Sequence, residues 1–183
     1  MILLVDIVNI VGSGELETRL DLLSLFESVQ PPLVKYDPEM YHALYMFFDE
    51  EDLPTITIYS SGKYIIVGAK TIEELQETRE RFLNILHENK QIDCPDDLSF
   101  DIQNIVGSGS VEMELDLNQI VVALGFENAE YDPENFPGVV YRDAGNDCVV
   151  LVFRTGNIII TGATSFESVE HAFEEFCELL SEE

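Results

Sequence analysis

Asp6-Ile7-Val8-Asn9-Ile10-Val11-Gly12-Ser13-Gly14 returns 95 residues later as Asp101-Ile102-Gln103-Asn104-Ile105-Val106-Gly107-Ser108-Gly109. The same interval carries Leu20-Asp21-Leu22 onto Leu115-Asp116-Leu117 and Tyr36-Asp37-Pro38-Glu39 onto Tyr131-Asp132-Pro133-Glu134. Further along, Ser61-Gly62-Lys63-Tyr64-Ile65-Ile66-Val67-Gly68-Ala69-Lys70 matches Thr155-Gly156-Asn157-Ile158-Ile159-Ile160-Thr161-Gly162-Ala163-Thr164 at an interval of 94. Blocks recurring in constant order mark a duplication, and a duplication decides architecture before any local reading does. The residue gained between the two intervals falls between Tyr41 and Tyr59, at the acidic stretch Asp49-Glu50-Glu51-Asp52, where a hairpin loop tolerates insertion. The expected division is 1–92 and 93–183.

Each half reads alike. A β-rich segment (4–12 and 100–107) precedes a short helix opening at Asp21 or Asp116, residues suited to an N-cap. Leu22, Leu25, Phe26 and Val29, matched by Leu117, Ile120, Val121 and Leu124, follow helical spacing. Three strands come next, near 41–48, 55–60 and 63–68 in one half and 136–142, 148–154 and 157–162 in the other, separated by turn residues such as Ser61-Gly62 and Thr155-Gly156. A longer helix closes each half. Thr71-Ile72-Glu73-Glu74 has the form of a capping box, and Ile72, Leu75, Phe82 and Leu86, like Phe166, Val169, Phe173, Phe176 and Leu180, make one apolar stripe. Strands followed by a packing helix, twice over and without βαβ alternation, predict an α+β fold with antiparallel sheet and helices on one face. The other face is left uncovered.

Composition narrows the function classes. A length of 183 residues with 46% hydrophobic content suits one compact domain or two small ones. No apolar run approaches the roughly 20 residues that cross a bilayer, and Met1-Ile2-Leu3-Leu4-Val5 meets Asp6 too soon for a signal-peptide core; a soluble, cytoplasmic protein is expected, with no membrane partner. Cys94, Cys148 and Cys177 form no C-x-x-C pair, and His42, His87 and His171 lie in no ligand spacing, so neither a disulfide framework nor a metal or other cofactor is expected. The Gly-Ser-Gly runs lack the further glycine or lysine of a phosphate-binding fingerprint and are read as turns. No Ser-His-Asp or Cys-His constellation presents itself, so the chain is not read as an enzyme and no small-molecule substrate is expected. Nine Lys plus Arg against 36 Asp plus Glu give a net charge of −27, the reverse of a usual nucleic-acid-binding surface. Such acidity fits either a solvated exterior for a salty cytoplasm or a surface for basic protein partners.

The uncovered face carries two aromatic pairs. Turns centred near 144–145, within Asp143-Ala144-Gly145-Asn146-Asp147, and near 50 would set Phe136 opposite Phe153 and Tyr41 opposite Tyr59, each pair stacked at matching places of the two halves. In register with them stand Val149, Leu151, Thr155, Asn157, Ile159 and Thr161, and in the first half Thr55, Thr57, Ser61, Lys63, Ile65 and Val67. That mixture is too polar for a core and too apolar for an ordinary exposed face. It suits the floor of a DNA minor groove.

With these residues the chain resembles the TATA-box-binding protein family in its short archaeal form. The second half carries the strongest match: Gln103-Asn104-Ile105-Val106, Asn128-Ala129-Glu130-Tyr131-Asp132-Pro133-Glu134, Phe136-Pro137-Gly138-Val139-Val140-Tyr141-Arg142 and Thr161-Gly162-Ala163. The resemblance implies a pseudo-symmetric saddle: a curved ten-stranded antiparallel sheet whose concave side takes double-stranded promoter DNA, with four helices on the convex side. Kinking of the duplex by inserted apolar side chains is a property of that family and enters only through the resemblance. Carried over position by position, Tyr41, Tyr59, Phe136 and Phe153 would be the intercalating residues. Asn9 and Asn104 would donate to groove acceptors, assisted by Thr161, with apolar contact from Val11, Val106, Ile65, Ile159 and Leu151 and phosphate contact from Lys63, Lys70 and Arg142. The loop before Phe136, with Glu134, Asp132 and Asn135, would recruit transcription factor B and through it the RNA polymerase initiation complex. The resemblance further implies a nucleoid-associated protein that is a monomer on DNA, with the concave face as the surface for a weak dimer.

Departures from the family pattern are specific. Tyrosines replace both first-half phenylalanine wedges, and a hydroxyl pushed unpartnered into a base stack costs about 1–3 kcal/mol. Phe47 stands where an arginine is usual, Asn157 and Thr164 replace lysines, Val67 replaces a threonine, and Thr57 an apolar residue. A transcription initiation factor is the leading reading; the alternative is a divergent paralogue that regulates mainly through protein partners and binds DNA weakly.

Overall fold

The computed structural model describes residues 4–29, 34–48, 54–93, 98–142 and 147–181. Its elements run β1 (Val5–Glu15), α1 (Leu22–Ser28), β2 (Val34–Lys35), β3 (Ala43–Met46), β4 (Thr55–Tyr59), β5 (Lys63–Ala69) and α2 (Ile72–Glu88), then β6 (Phe100–Ser110), α3 (Leu117–Leu124), β7 (Ala129–Glu130), β8 (Gly138–Tyr141), β9 (Val149–Phe153), β10 (Asn157–Ala163) and α4 (Phe166–Ser181). The strands form a ten-stranded sheet of order β2-β3-β4-β5-β1-β6-β10-β9-β8-β7. By contacts the chain divides into two compact units, Asn9–Gln103 and Met1–Val8 with Asn104–Glu183; below, these are the N-unit and the C-unit. Among the described residues no helix is long and apolar enough to cross a membrane.

In the N-unit, β4 and β5 alternate up to Val67, where two half-exposed residues follow in succession. Ile56, Ile58, Tyr64, Ile66 and Ala69 are buried, while Thr55, Thr57, Ile65 and Val67 between them stay half-exposed. The buried side faces α2, whose Phe82 ring lies 4.9 Å from Tyr64. Each such ring removed from water contributes about 1.5–3 kcal/mol. Helix α1 starts because Asp21 Oδ1 accepts the Leu23 and Ser24 N–H groups, both at 3.1 Å, satisfying donors that a helix start leaves orphaned. Thr71 Oγ1 likewise accepts the Glu74 N–H at 3.1 Å, but Glu74 Oε2 reaches past Thr71 to the Lys70 N–H at 2.7 Å. The expected capping box is therefore stretched by one residue.

The C-unit repeats this arithmetic. Asp116 caps α3, accepting the Asn118 and Gln119 N–H groups at 3.0 and 3.4 Å. Val150, Val152, Ile158 and Ile160 are buried and alternate with half-exposed Val149, Leu151, Phe153, Ile159 and Thr161. Val169, Phe173 and Phe176 of α4 are almost fully buried.

The structure corrects three readings. First, the Gly-Ser-Gly runs are not turns. They lie inside β1 and β6, where a Cβ on Gly12 would run into the Phe100 ring, on Gly14 into Tyr64, on Gly107 into Val169 and on Gly109 into Phe173. Glycine is there to let rings and helices approach the strand. The chain turns after each run, at Glu17 and Glu112, both left-handed at φ 55° and 54°. Second, β2 and β7 escaped the residue-by-residue reading, since two residues carry no periodicity. Third, the hairpin register is displaced by two: Tyr59 pairs with Ala43 and Phe153 with Gly138. The β3–β4 turn, all of the β8–β9 turn except Asp147, and Cys94 lie outside the described residues.

Candidate nucleic-acid interface

A displacement of two leaves every side chain on its expected face. Tyr41 and Tyr59 are 49% and 36% exposed, and Phe136 and Phe153 are half-buried, so none of the four rings is sealed under a helix. In the C-unit, Phe136 and Phe153 meet at 5.7 Å and 62° across Gly138. A Cβ there would lie 3.0 Å from Phe136 Cε1 and 3.1 Å from Phe153 Cε1, so the glycine makes room for both rings. The N-unit has Ala43 at this position, and Tyr41 packs edge-on against Tyr45 at 6.0 Å and 88°. The expected stacked pairs are thus corrected to an edge-on pair in one unit and a different partner in the other.

Tight turns hold these rings. Tyr41 and Phe136 each donate their backbone N–H to the carbonyl of Asp37 or Asp132 at 2.8 Å. The same aspartates accept the Glu39 and Glu134 N–H groups through Oδ1 at 3.1 Å, a side-chain mimic of a backbone turn. Asp132 Oδ2 also takes the Asn135 side chain at 2.6 Å. Asp132, Glu134 and Asn135, read as partner-binding, are all exposed, with Asp132 and Asn135 also bonded to each other. After Tyr59 and Phe153 the chain reverses through Gly62 and Gly156, with φ of 92° and 85°, a left-handed conformation that glycine adopts without strain.

The two asparagines are fixed by a device that sequence reasoning missed. The β1–β5 ladder slips between Ile10 and Val11, and the β10–β6 ladder slips between Ile160 and Ala163. Each slip is a bulge, made at Gly68 and Gly162 with φ of 106° and 91°. The bulged N–H donates to the asparagine instead: Gly68 to Asn9 Oδ1 and Gly162 to Asn104 Oδ1, both at 2.8 Å. A backbone N–H can only donate, so the oxygen of each carboxamide is identified and its NH2 is left as a donor. Asn104 Nδ2 also lies 3.3 Å from Thr161 Oγ1; Val67 occupies the equivalent place near Asn9. The signal that could have found the device is a glycine recurring at one place in both repeats inside a strand pattern.

Around these amides, Val11 pairs with Val67 and Ile159 with Leu151, half-exposed like Ile65, Val106 and Thr161. Lys63, Lys70 and Arg142 are exposed. Glu15 stands directly opposite Lys63, a carboxylate on this face that the sequence reading did not single out. In the C-unit Ser110 opposite Asn157 replaces that pair, and an acid on its open face is Glu130, opposite Val140, which is itself opposite Leu151.

A duplicated α+β protein whose units each expose an apolar sheet face, ring residues at its margin and an oriented carboxamide donor belongs to the class of sheet-surface nucleic-acid binders. Within that class, the family described as transcription factor TFIID (or TATA-binding protein, TBP) matches residues 4–89 and 99–183. TATA-box-binding protein C of Halobacterium salinarum is 42% identical over 172 residues, covering 94% of each chain. The TATA-box-binding protein of Pyrobaculum calidifontis is 36% identical, over 95% of this chain and 84% of its own. The solved structure of Methanococcus jannaschii TBP superposes with a TM-score of 0.79 at 31% identity, over 98% of this chain and 99% of that one. This chain belongs to the TATA-box-binding protein family, whose members are DNA-binding transcription factors and not enzymes.

Proposed function

We propose that the chain is a general transcription initiation factor that binds the minor groove of A·T-rich (TATA-box) promoter DNA, bends it, and recruits transcription factor B and RNA polymerase. The observation that carries this reading is the pair of carboxamides whose oxygens are held by Gly68 and Gly162. Their remaining N–H groups are donors on an apolar face, and adenine N3 and thymine O2 are acceptors on the floor of an A·T minor groove. A guanine amino group would meet those donors with another donor. Tyr41, Tyr59, Phe136 and Phe153 act as wedges, Lys63, Lys70 and Arg142 meet phosphates, and exposed Glu134 meets transcription factor B.

Fluorescence anisotropy with an A·T-rich duplex and a G·C-rich duplex of equal length tests the reading. The A·T duplex is expected to bind at least about 100-fold more tightly, since specific sites commonly exceed non-specific ones by 10³ or more. Equal affinity for the two would overturn it. The tyrosine hydroxyls and the Glu15–Lys63 opposition favour a second reading, a divergent paralogue acting mainly through proteins. Preferential A·T binding that appears only when transcription factor B is added would decide for that one.

A further inference from the structure

We infer that Lys35 is a phosphate-contacting cation of the N-unit, supplying from β2 the charge that its repeat counterpart takes from Arg142; the inference rests on the DNA-binding reading above. Register places Lys35 opposite Tyr45, Tyr45 opposite Thr57 and Thr57 opposite Ile65. Residues paired this way point to the same side of the sheet, so Lys35 stands on the helix-free face. Its Nζ lies 4.5 Å from the centroid of the Phe47 ring. Phe47 is only 6% exposed whereas Lys35 is exposed, so the ammonium lies over a buried ring at the surface.

The repeat makes this placement informative. Position 47 corresponds to Arg142 and position 35 to Glu130. One unit therefore has an acid on its edge strand and a cation at the end of the next strand, and the other has a cation on the edge strand and an aromatic at the end of the next. The charge has moved across one strand while the corner keeps one cation. That corner adjoins the wedge, because Tyr41 packs on Tyr45 and Lys35, Tyr41 and Tyr45 line one cleft of about 530 Å³. The ring face attracts the ammonium and restricts where it wanders, which lowers the ordering cost of meeting a phosphate.

Binding to an A·T-rich duplex, measured across salt for the parent, Lys35→Gln, Lys35→Arg and the double variant Lys35→Gln with Phe47→Arg, tests the inference. Each phosphate neutralised contributes about 0.9 to the slope of log K against log salt. Lys35→Gln should flatten the slope by about 0.9, Lys35→Arg should keep it, and Phe47→Arg should restore it. A merely structural lysine would shift the melting temperature and leave the slope alone. Should Lys35→Gln melt early, Lys35→Met, which keeps an apolar cover over Phe47, gives the same slope comparison. A well-folded Lys35→Gln or Lys35→Met protein with the parental slope overturns the inference and leaves the DNA reading standing; a parent that binds neither A·T nor G·C duplex overturns both.

Discussion

The carboxamide of Asn104 accepts the Gly162 N–H through Oδ1 at 2.8 Å, donates one Nδ2 hydrogen to Thr161 Oγ1 at 3.3 Å and has the other for an outside acceptor, so one substitution can separate the two roles. Asn104→Asp retains an oxygen for Gly162 and replaces the donor with a second acceptor facing groove acceptors. Thermal unfolding is expected to move little, while affinity for an A·T duplex falls by about 5-fold to 150-fold, the equivalent of about 1–3 kcal/mol for unmatched polar groups. Loss of affinity matched by an equal loss of stability would mean that the amide only braces the bulge. Gly138 offers a second test at this scale. A methyl group there meets the Val152 carbonyl oxygen at 2.9 Å and the Phe136 and Phe153 rings at about 3 Å, and Gly138→Ala should destabilise by about 1–3 kcal/mol through overpacking, read by denaturant unfolding; an unchanged midpoint would show that the two rings do not need the glycine. Asn9 and Asn104 were legible because they recur. What holds them was not, since a bulge is a one-residue slip that hydrophobic alternation does not register.

At the level of elements, β5 and α2 meet through Tyr64, which is fully buried. Arg79 Nε donates to its hydroxyl at 3.1 Å, and an Arg79 terminal nitrogen donates to the Leu98 carbonyl at 2.8 Å. Burial pushes the Tyr64 phenol above its ordinary 10.0, with the Arg79 hydrogen bond and charge opposing in part. Because the folded value is raised, Tyr64 holds its proton in the native state after the unfolded chain has lost it. Its contribution is intact below pH 10 and is lost as pH rises beyond, through the folded value. Tyr64→Phe is therefore expected to be less stable at pH 7, by about 1 kcal/mol for the lost hydrogen bond, and to lose less stability than the parent between pH 9 and 11 in urea titrations. An identical alkaline decline in both proteins would assign the effect to other groups. Helix starts at Asp21, Thr71 and Asp116 could be read from the sequence because a cap is a local event. Hairpin register could not, because it depends on turn geometry spread over several acidic residues. Slipping by two rather than one is why the faces were assigned correctly while the pairs were not.

For the whole molecule, the question is how a chain of net charge −27 holds a polyanion. Duplication, the α+β class and the uncovered face were all legible, because repeats and alternation are properties of sequence. The balance of charge on that face was not, because it depends on which acids share a side with which cations. With Lys63, Lys70, Arg142 and Lys35 proposed to meet phosphates, about four contacts are expected, so the slope of log K against log salt is expected near −4, against −5 to −9 for a binder making 6–10 contacts. The register sets Glu15 against Lys63, where it competes with a phosphate for the ammonium and repels the backbone. Glu15→Gln is accordingly expected to tighten A·T duplex binding by about 3-fold to 10-fold near 0.1 M salt. Much of the gain should fade by 1 M, where the screening length contracts from about 10 Å to 3 Å. The C-unit provides the control, because Ser110→Glu would build the same opposition against Asn157, which has no charge to be neutralised. That variant should weaken binding through repulsion of the duplex alone, so a Glu15 effect that exceeds it measures the competition for Lys63.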